Sequence, residues 1–326
     1  MRKTGLFLAS IALSATLWAE LPEKKGLDVI NRANAEAYIG FLASDALEGR
    51  EAGFRGGRIA GEYIVSNLKT MGIEPLFESY YQPFEAYNKE RQKRGRFQVH
   101  PDSIAKLKQG VHQKLSMNNI LGKIEGKNPN EYVIIGAHYD HLGFDPMLDG
   151  DRVYNGADDN ASGVSAVLQV AKAFLATGVQ PERTVIFAFW DGEEKGLLGS
   201  KYFVQTFLEM DKVKGYLNYD MIGRNKDESK PMHVVYFYTE AHPVFGDWLK
   251  NDIKKYGLNL TPDYRPWDKP VGGSDNASFA LLDIPVIWYH TDGHPDYHMP
   301  SDHVEKINWN KIVDITKEES DCLVLK

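Results

Sequence analysis

The sequence predicts an α/β fold with a mostly parallel central sheet flanked by helices. The chain has 326 residues, of which 43% are apolar and 25% charged, which is typical of a globular protein. From residue 118 onward, short apolar runs alternate with segments whose apolar residues recur at helical spacing. This alternation is typical of strands and helices arranged around one sheet. Ligands of such sheets bind outside the carboxyl ends of the strands, so we expect a site there.

The elements follow from these patterns. Residues 76–117 are aromatic, charged and irregular, and indicate a loop-rich connection or an edge strand. The early helices predict an N-terminal helical extension of a single domain spanning residues 20–326. The predicted helices are 34–47, 57–69, 162–176, 200–207 and 244–256, and the predicted strands are 119–124, 132–137, 185–189, 216–219, 234–238 and 286–289.

The first 19 residues have the pattern of a signal peptide. Arg2 and Lys3 precede an apolar run at residues 5–13, and Ala19 is a plausible cleavage point. The run is too short for a membrane span. We therefore expect an exported protein, periplasmic or secreted, that is not an integral membrane protein.

Charge and cysteine content limit the possible partners. The formal charge is −7, and loss of Arg2 and Lys3 with residues 1–19 would make it −9. An acidic chain of this kind argues against a nucleic-acid partner. The single cysteine, Cys322, cannot form an intramolecular disulfide, and the oligomeric state is not predicted.

Polar side chains cluster where predicted strands end or where a helix begins. Because these ends meet at one rim of the sheet, the clusters are expected to converge. They comprise His138, Asp140 and His141 after one strand, Asp158 and Asp159 before a helix, Glu193 and Glu194, Asp220, and His298 with Asp302.

The donor set is two imidazoles and three carboxylates. Such ligands suit zinc, or manganese or cobalt as substitutes. Three carboxylates exceed the needs of one zinc and suit two ions about 3.5–4 Å apart that share a carboxylate. The residues alone allow either Asp158 or Asp159 to be the shared one.

The motifs resemble those of the M28 family of co-catalytic zinc peptidases, typified by bacterial leucine-type aminopeptidases. The similarity covers residues 34–316. It rests on the family's order of motifs, here His138-x-Asp140, Ala157-Asp-Asp-x-Ala-Ser-Gly163, Glu193-Glu194, Asp220-Met221 and His298-x-x-x-Asp302.

The resemblance implies a role for each of these residues and a three-layer zinc-exopeptidase fold. His138 and Asp220 would bind one Zn²⁺, Glu194 and His298 the second, and Asp159 would bridge them. Glu193 would take a proton from the attacking water and pass it to the departing amine. Asp140 would hydrogen-bond the far nitrogen of His138, Asp302 would do the same for His298, and the Asp159–Asn160 peptide bond would be cis.

The chain departs from the family pattern at several positions. Asn276 stands where the family usually has His, and Val271 where some relatives place a tyrosine near the oxyanion. The oxyanion helper is therefore unassigned. The apolar pattern also breaks after Ile315, which predicts a frayed or truncated last helix. His141, His294 and His303 are interpreted as pocket rim or surface.

The predicted function is hydrolysis of the first peptide bond of short peptides by an exported dinuclear zinc aminopeptidase. One alternative is a carboxypeptidase, dipeptidase or other amide hydrolase on the same scaffold. Another is a peptidase-like binding domain without catalysis, although all six ligand and base positions are filled. Phe144, Trp267, Phe279 and Tyr297 are candidates for a side-chain pocket, with core packing the expected role of at least two.

Overall fold

The computed structural model describes residues 21–89, 97–267 and 272–318. The predicted signal peptide, Val271 and the chain beyond residue 318 lie outside these residues. The helices are α1 Pro22–Val29, α2 Arg32–Leu42, α3 Arg55–Met71, α4 Pro101–Leu107, α5 Gly163–Thr177, α6 Leu198–Thr206, α7 Pro243–Tyr256, α8 Asn276–Ala280 and α9 Trp309–Lys317. The strands are β1 Glu74–Pro75, β2 Tyr81–Lys89, β3 His112–Ile124, β4 Asn128–His138, β5 Gly143–Phe144, β6 Val153–Tyr154, β7 Arg183–Trp190, β8 Val213–Tyr219, β9 His233–Tyr238, β10 Thr261–Pro266 and β11 Val286–His290.

Nine of these strands form one mixed sheet in the order β1-β3-β7-β4-β8-β11-β9-β10, with β2 also paired to β3. The four central strands β7, β4, β8 and β11 run parallel. Antiparallel pairing occurs where β3 joins β7 and where β9 joins β11. The predicted α/β class with a parallel centre is confirmed, and the flanks of the sheet are mixed.

Helices cover both faces of the sheet, because the central strands are apolar on both sides. Along β4, Val133 and Ile135 face a core that also contains residues of α2, α3, α5 and α9. Ile134 faces the opposite core, where Phe203 of α6 and Phe279 of α8 pack. Because successive side chains of β4 point to opposite faces of the sheet, helices pack on both faces. The fold therefore has three layers, helix, sheet and helix.

The observed elements differ from the predicted ones by a few residues at their ends, and seven of them were not predicted, namely α1, α4, α8, β1, β5, β6 and β10. Residues 76–117 contain the edge strand β2 and also helix α4. Helix α1 and strand β10 were not predicted. The two prolines of β10, at positions 262 and 266, suggest a turn, but β10 is an edge strand, where proline is tolerated. The last helix ends at Lys317.

Among the described residues, no helix has both the length and the apolar character needed to cross a membrane. The parallel arrangement of the four central strands brings their carboxyl ends to one rim of the sheet. The segments that follow these ends carry the polar clusters found in the sequence.

Candidate metal centre

Each predicted ligand lies at the carboxyl end of a central strand or in the turn before α5. His138 is the last residue of β4, and Asp220 directly follows β8. Glu194 lies in the turn after β7, and His298 in the segment after β11. Asp159 lies in the turn Ala157–Ser162 that leads into α5. The rim predicted from the sequence therefore exists, and all five side chains meet there.

The Asp159 carboxylate stands between two groups of donors. Its Oδ1 atom is 3.3 Å from His138 Nε2, and Asp220 Oδ1 is 3.5 Å from the same nitrogen. Its Oδ2 atom is 3.1 Å from His298 Nε2, which is 3.2 Å from Glu194 Oε2. The two oxygens of one carboxylate thus face two separate clusters.

Asp158 faces away from both clusters. Its Oδ1 accepts a hydrogen bond from the Gly223 amide at 2.6 Å, and its Oδ2 lies 3.2 Å from His294 Nε2. The geometry therefore favours Asp159 over Asp158 as the shared carboxylate. The Asp159–Asn160 peptide bond is cis, as predicted.

The predicted role of Asp302 is wrong. Its Oδ2 atom accepts hydrogen bonds from the backbone amides of Asp158 and Asp159, both at 3.0 Å, and its side chain is fully buried. Asp302 therefore orients the backbone of the Asp159 turn, whereas sequence spacing had suggested a contact with the His298 ring. Burial and the nearby Asp158 charge raise the pKa of Asp302 to about 6.

The predicted contact between Asp140 and His138 is present, but it is longer than a hydrogen bond. His138 Nδ1 lies 3.2 Å from the backbone carbonyl of Asp140 and 3.7 Å from its carboxylate. The carboxylate instead accepts hydrogen bonds from the backbone amides of Glu193 at 3.0 Å and Glu194 at 3.3 Å. The turn between His138 and Asp140 places the carbonyl nearer the ring, while the side chain reaches across to the next strand end.

The electrostatics of the site fit a bound cation. Asp220 Oδ1 is buried and has no hydrogen-bond partner among the described residues. Burial lowers the pKa of His298, but the Asp159 and Glu194 carboxylates outweigh burial and raise the pKa to about 10. The pKa of His138 is likewise raised well above its usual value, because Asp220 and its neighbours outweigh burial. The crowded carboxylates thus favour a positive charge on both imidazoles. A bound Zn²⁺ would supply positive charge in the same place, with these oxygen and nitrogen atoms as its ligands.

Glu193 lies beside this donor set. With His138, Asp159 and Asp220 it lines a pocket of about 220 Å³. Burial raises the pKa of Glu193 well above its usual value, and the charges of Glu194, Asp275 and Asp220 add to the shift. A carboxyl group in this position is within reach of a water or substrate bound in the pocket and could take part in proton transfer.

The pocket lining differs from the sequence prediction. Tyr297 lines the pocket, and its ring stacks on His298 with centroids 3.8 Å apart. Phe279 is fully buried in the core, whereas Phe144 and Trp267 are 50% and 40% exposed. Met221, Trp288 and His290, which were not predicted as pocket residues, also line the pocket.

His141 and Arg50 are two further buried residues at the site that were not predicted. His141 was expected at the rim or surface, yet its side chain is fully buried with Nδ1 2.8 Å from Glu194 Oε1. His294 is also buried, beside Asp158, while His303 is a partly exposed partner of Asp151. The only indication in the sequence that His141 lies at the site is its position three residues after the predicted ligand His138.

Arg50 is 1% exposed and neutralises part of the charge at the rim. Burial lowers the pKa of Arg50 to about 10, against the attraction of Asp159 and other carboxylates. Nothing in the sequence distinguishes it from a surface arginine. Its guanidinium donates to the backbone carbonyls of Leu42, Tyr139, Asn155, Gly156 and Asp159.

Comparison with solved structures extends the description of the fold. The LapA aminopeptidase of Legionella pneumophila superposes with a TM-score of 0.68 at 22% identity, covering 99% of this chain and 78% of that one. A zinc aminopeptidase of Bacillus subtilis, BSAP, gives a TM-score of 0.69 at 17% identity, covering 90% of this chain and 94% of that one. At these identities the likeness establishes a shared fold.

Sequence comparison identifies the family. Leupeptin-inactivating enzyme 1 of Streptomyces exfoliatus is 34% identical over 170 residues, which are 52% of this chain and 34% of that enzyme. The chain thus spans about a third of the length of this relative. The family model of peptidase family M28 matches residues 119–320, more than half of the chain and the stretch that holds every predicted metal ligand. The chain therefore belongs to peptidase family M28.

Proposed function

We propose that the protein is a dinuclear zinc aminopeptidase that removes N-terminal residues from peptides. His138 and Asp220 would hold one Zn²⁺, Glu194 and His298 the other, and Asp159 would contact both. The observation that carries this proposal is the division of the Asp159 oxygens, with Oδ1 3.3 Å from His138 and Oδ2 3.1 Å from His298. Both relatives of known structure cited above are described as aminopeptidases, one of them as a zinc enzyme.

When bound, zinc would supply Lewis acidity that activates a water molecule and polarises the substrate carbonyl. Glu193 would accept the proton of the attacking water and return it to the departing amine. Its place in the pocket supports this role, because it lies beside His138, Asp159 and Asp220, where the attacking water would be held. Asp140 would hold Glu193 and Glu194 in place through their backbone amides.

The pocket beside the ligands would accept the N-terminal residue of the substrate. Trp288, Met221 and Tyr297 provide apolar surface there. The neighbouring carboxylates would attract the positively charged α-amine. Zinc is the proposed native metal, with manganese or cobalt as possible substitutes, because the donors are oxygen and imidazole nitrogen.

One observation favours a carboxypeptidase as the alternative activity. A groove of about 530 Å³ shares Glu193, Tyr297 and His298 with the pocket. Lys195 and Lys201 line it and could attract the carboxylate of a substrate's C-terminus. Lys195 is already paired with Glu51 at 2.8 Å, which weakens this alternative.

The proposed activity is tested by supplying the zinc-loaded full chain with two matched substrates. One is a leucine anilide with a free amine, and the other is an N-acetylated dipeptide with a free carboxylate. The aminopeptidase proposal expects turnover of the anilide alone. Turnover of the blocked dipeptide alone would support the carboxypeptidase, and turnover of neither substrate despite bound zinc would contradict both activities.

Export is a separate part of the proposal and rests on the pattern of residues 1–19. We propose that these residues are removed and that residues 20–326 form a single mature domain. N-terminal sequencing of the protein recovered outside the cytoplasm should find Glu20 as the first residue. An intact N-terminus in that fraction would contradict cleavage.

A further inference from the structure

His141 lies inside the cluster formed by Glu194, His298 and Asp159 oxygens. Its Nδ1 atom is 2.8 Å from Glu194 Oε1 and 3.8 Å from Asp159 Oδ2. The side chain is fully buried, so water does not compete for this contact. One of the two candidate groups of metal donors in the described residues is His141, Asp159 and Glu194. His141 must therefore either bind the metal or hold a residue that does.

The second ring nitrogen decides between these roles. His141 Nε2 is buried and has no hydrogen-bond partner among the described residues. If Nδ1 bound a metal, Nε2 would carry the proton and leave a buried donor unpaired, which is costly. A metal-binding histidine almost always donates its other N–H to a partner. If instead Nδ1 carries the proton, Nε2 is an unpaired acceptor, but the 2.8 Å contact becomes a charge-assisted hydrogen bond that satisfies both Nδ1 and Glu194 Oε1.

The surrounding backbone fixes the ring in this position. The His141 amide donates to the Arg50 carbonyl at 3.2 Å, and Arg50 in turn donates to the Gly156 carbonyl at 2.9 Å. Gly156 has a φ of +57°, and a Cβ atom there would lie 2.6 Å from the His141 ring. A glycine is thus needed for the close approach of the turn to the imidazole.

The two oxygens of Glu194 consequently have different surroundings. Oε1 lies 2.8 Å from His141 Nδ1, while Oε2 lies 3.2 Å from His298 Nε2 on the side of Asp159. An oxygen engaged by a hydrogen bond is less available to a cation than its free partner. The hydrogen bond therefore selects which oxygen of Glu194 faces the second metal position.

We propose that His141 is a positioning residue whose Nδ1–H holds Glu194 Oε1, so that Glu194 binds the metal through Oε2 alone. This inference rests on the proposed dinuclear site. It predicts that zinc affinity depends on a hydrogen-bond donor at position 141 and does not depend on a metal-binding nitrogen there.

The test compares His141→Ala with His141→Asn in the full chain. The amide nitrogen of asparagine occupies the position of Nδ1–H and donates, but it is a poor zinc ligand. Zinc affinity and stoichiometry are measured by competition with a chromophoric chelator. We expect His141→Ala to weaken one of two zinc sites about 10–100-fold, the usual effect of removing such a partner, and His141→Asn to recover most of that loss.

A matched control is His303→Ala, because His303 also pairs with a carboxylate, Asp151 at 2.9 Å, but away from the metal ligands. It should leave both zinc affinities unchanged. The absorption spectrum of the cobalt-loaded protein gives a second measurement, which should change in His141→Ala and be restored in His141→Asn.

The outcomes separate this inference from the proposed function. Equal losses in both His141 variants would make His141 a ligand and overturn the inference, as would two unchanged sites in His141→Ala. In these cases the dinuclear proposal stands. A wild-type chain that binds no zinc would overturn both. If His141→Ala fails to fold, His141→Asn decides alone: wild-type zinc affinity supports the inference, and loss of one site contradicts it.

Discussion

The four central strands are built differently in their bodies and at their carboxyl ends. In the body of β4, residues such as Ile134 and Ile135 are fully buried and pack against helices on the two faces of the sheet. At the carboxyl end of the same strand, His138 is also buried but faces the carboxylates of Asp159 and Asp220. Within a few residues, the strand passes from apolar packing to a cluster of charges.

The strand bodies and the strand ends differ in how fully their buried polar groups are paired. Buried polar groups are normally paired, and the strand bodies obey this rule through their ladders. At the ends, Asp220 Oδ1 is buried and makes no hydrogen bond among the described residues, although it lies 3.5 Å from His138 Nε2. Proteins tolerate such arrangements at functional sites at a cost in stability. Changes at the ends should therefore affect metal binding and turnover, and changes in the bodies should affect stability.

The largest effect is expected from Asp159→Asn. This change removes the carboxylate whose two oxygens face both donor clusters, so both zinc ions should bind more weakly and peptide hydrolysis should be lost. Asp158→Asn is the matched control, because its carboxylate faces His294 and the Gly223 amide. Metal analysis should find two zinc ions in the control. Two tightly bound ions in Asp159→Asn would refute a shared Asp159.

Glu193→Gln should retain zinc and lower turnover by at least ~10²-fold, the low end for loss of a general acid-base group. The amide keeps the shape of the side chain but cannot accept the proton. Glu194→Gln provides the contrast, since it should lose one zinc ion. Steady-state kinetics with the leucine anilide and metal analysis measure both. Unchanged turnover in Glu193→Gln would remove this residue from the mechanism.

Removal of metal should lower the melting temperature of the wild-type protein. A ligand present at about 100 times its Kd stabilises the folded state by ~2.7 kcal/mol, which corresponds to several degrees in a domain of this size. Thermal unfolding with and without a chelator measures the shift. Asp159→Asn should show a much smaller shift. An equal shift in both proteins would mean that the chelator acts elsewhere.

The sequence predicted the convergence of the ligands because topology alone determines it. Once β4, β7, β8 and β11 are parallel neighbours, residues that follow them share one rim. The direction of a side chain within a turn depends on local backbone geometry that spacing does not reveal. For that reason the assignment of Asp302 to His298 is wrong, since Asp302 holds backbone amides of the Asp159 turn. Asp140 lies near the His138 ring as predicted, but its hydrogen bonds go to the backbone amides of the neighbouring turn.

Arg50 and His141 were missed for a related reason. Each acts through contacts distant in sequence, such as Arg50 with the Gly156 carbonyl and His141 with Glu194. An arginine bound only to carbonyl groups has no carboxylate partner whose spacing could identify it. The imidazole of His141 was visible in the sequence, but its burial depends on the close approach of Gly156.

The smallest effect is expected from Ile134→Val, a change in the body of β4 four residues before His138. Ile134 is fully buried, and the loss of one methylene should cost about 0.5–1.5 kcal/mol of unfolding free energy. Zinc affinity and turnover should remain those of the wild type, because the deleted atom faces the core and no ligand. Urea unfolding of the zinc-loaded protein, together with chelator competition, measures both quantities.

A fall in zinc affinity comparable to that of His141→Ala would show that core packing sets the positions of the ligands. The division between strand bodies and strand ends would then fail, since apolar packing would control the metal site as strongly as its own hydrogen bonds.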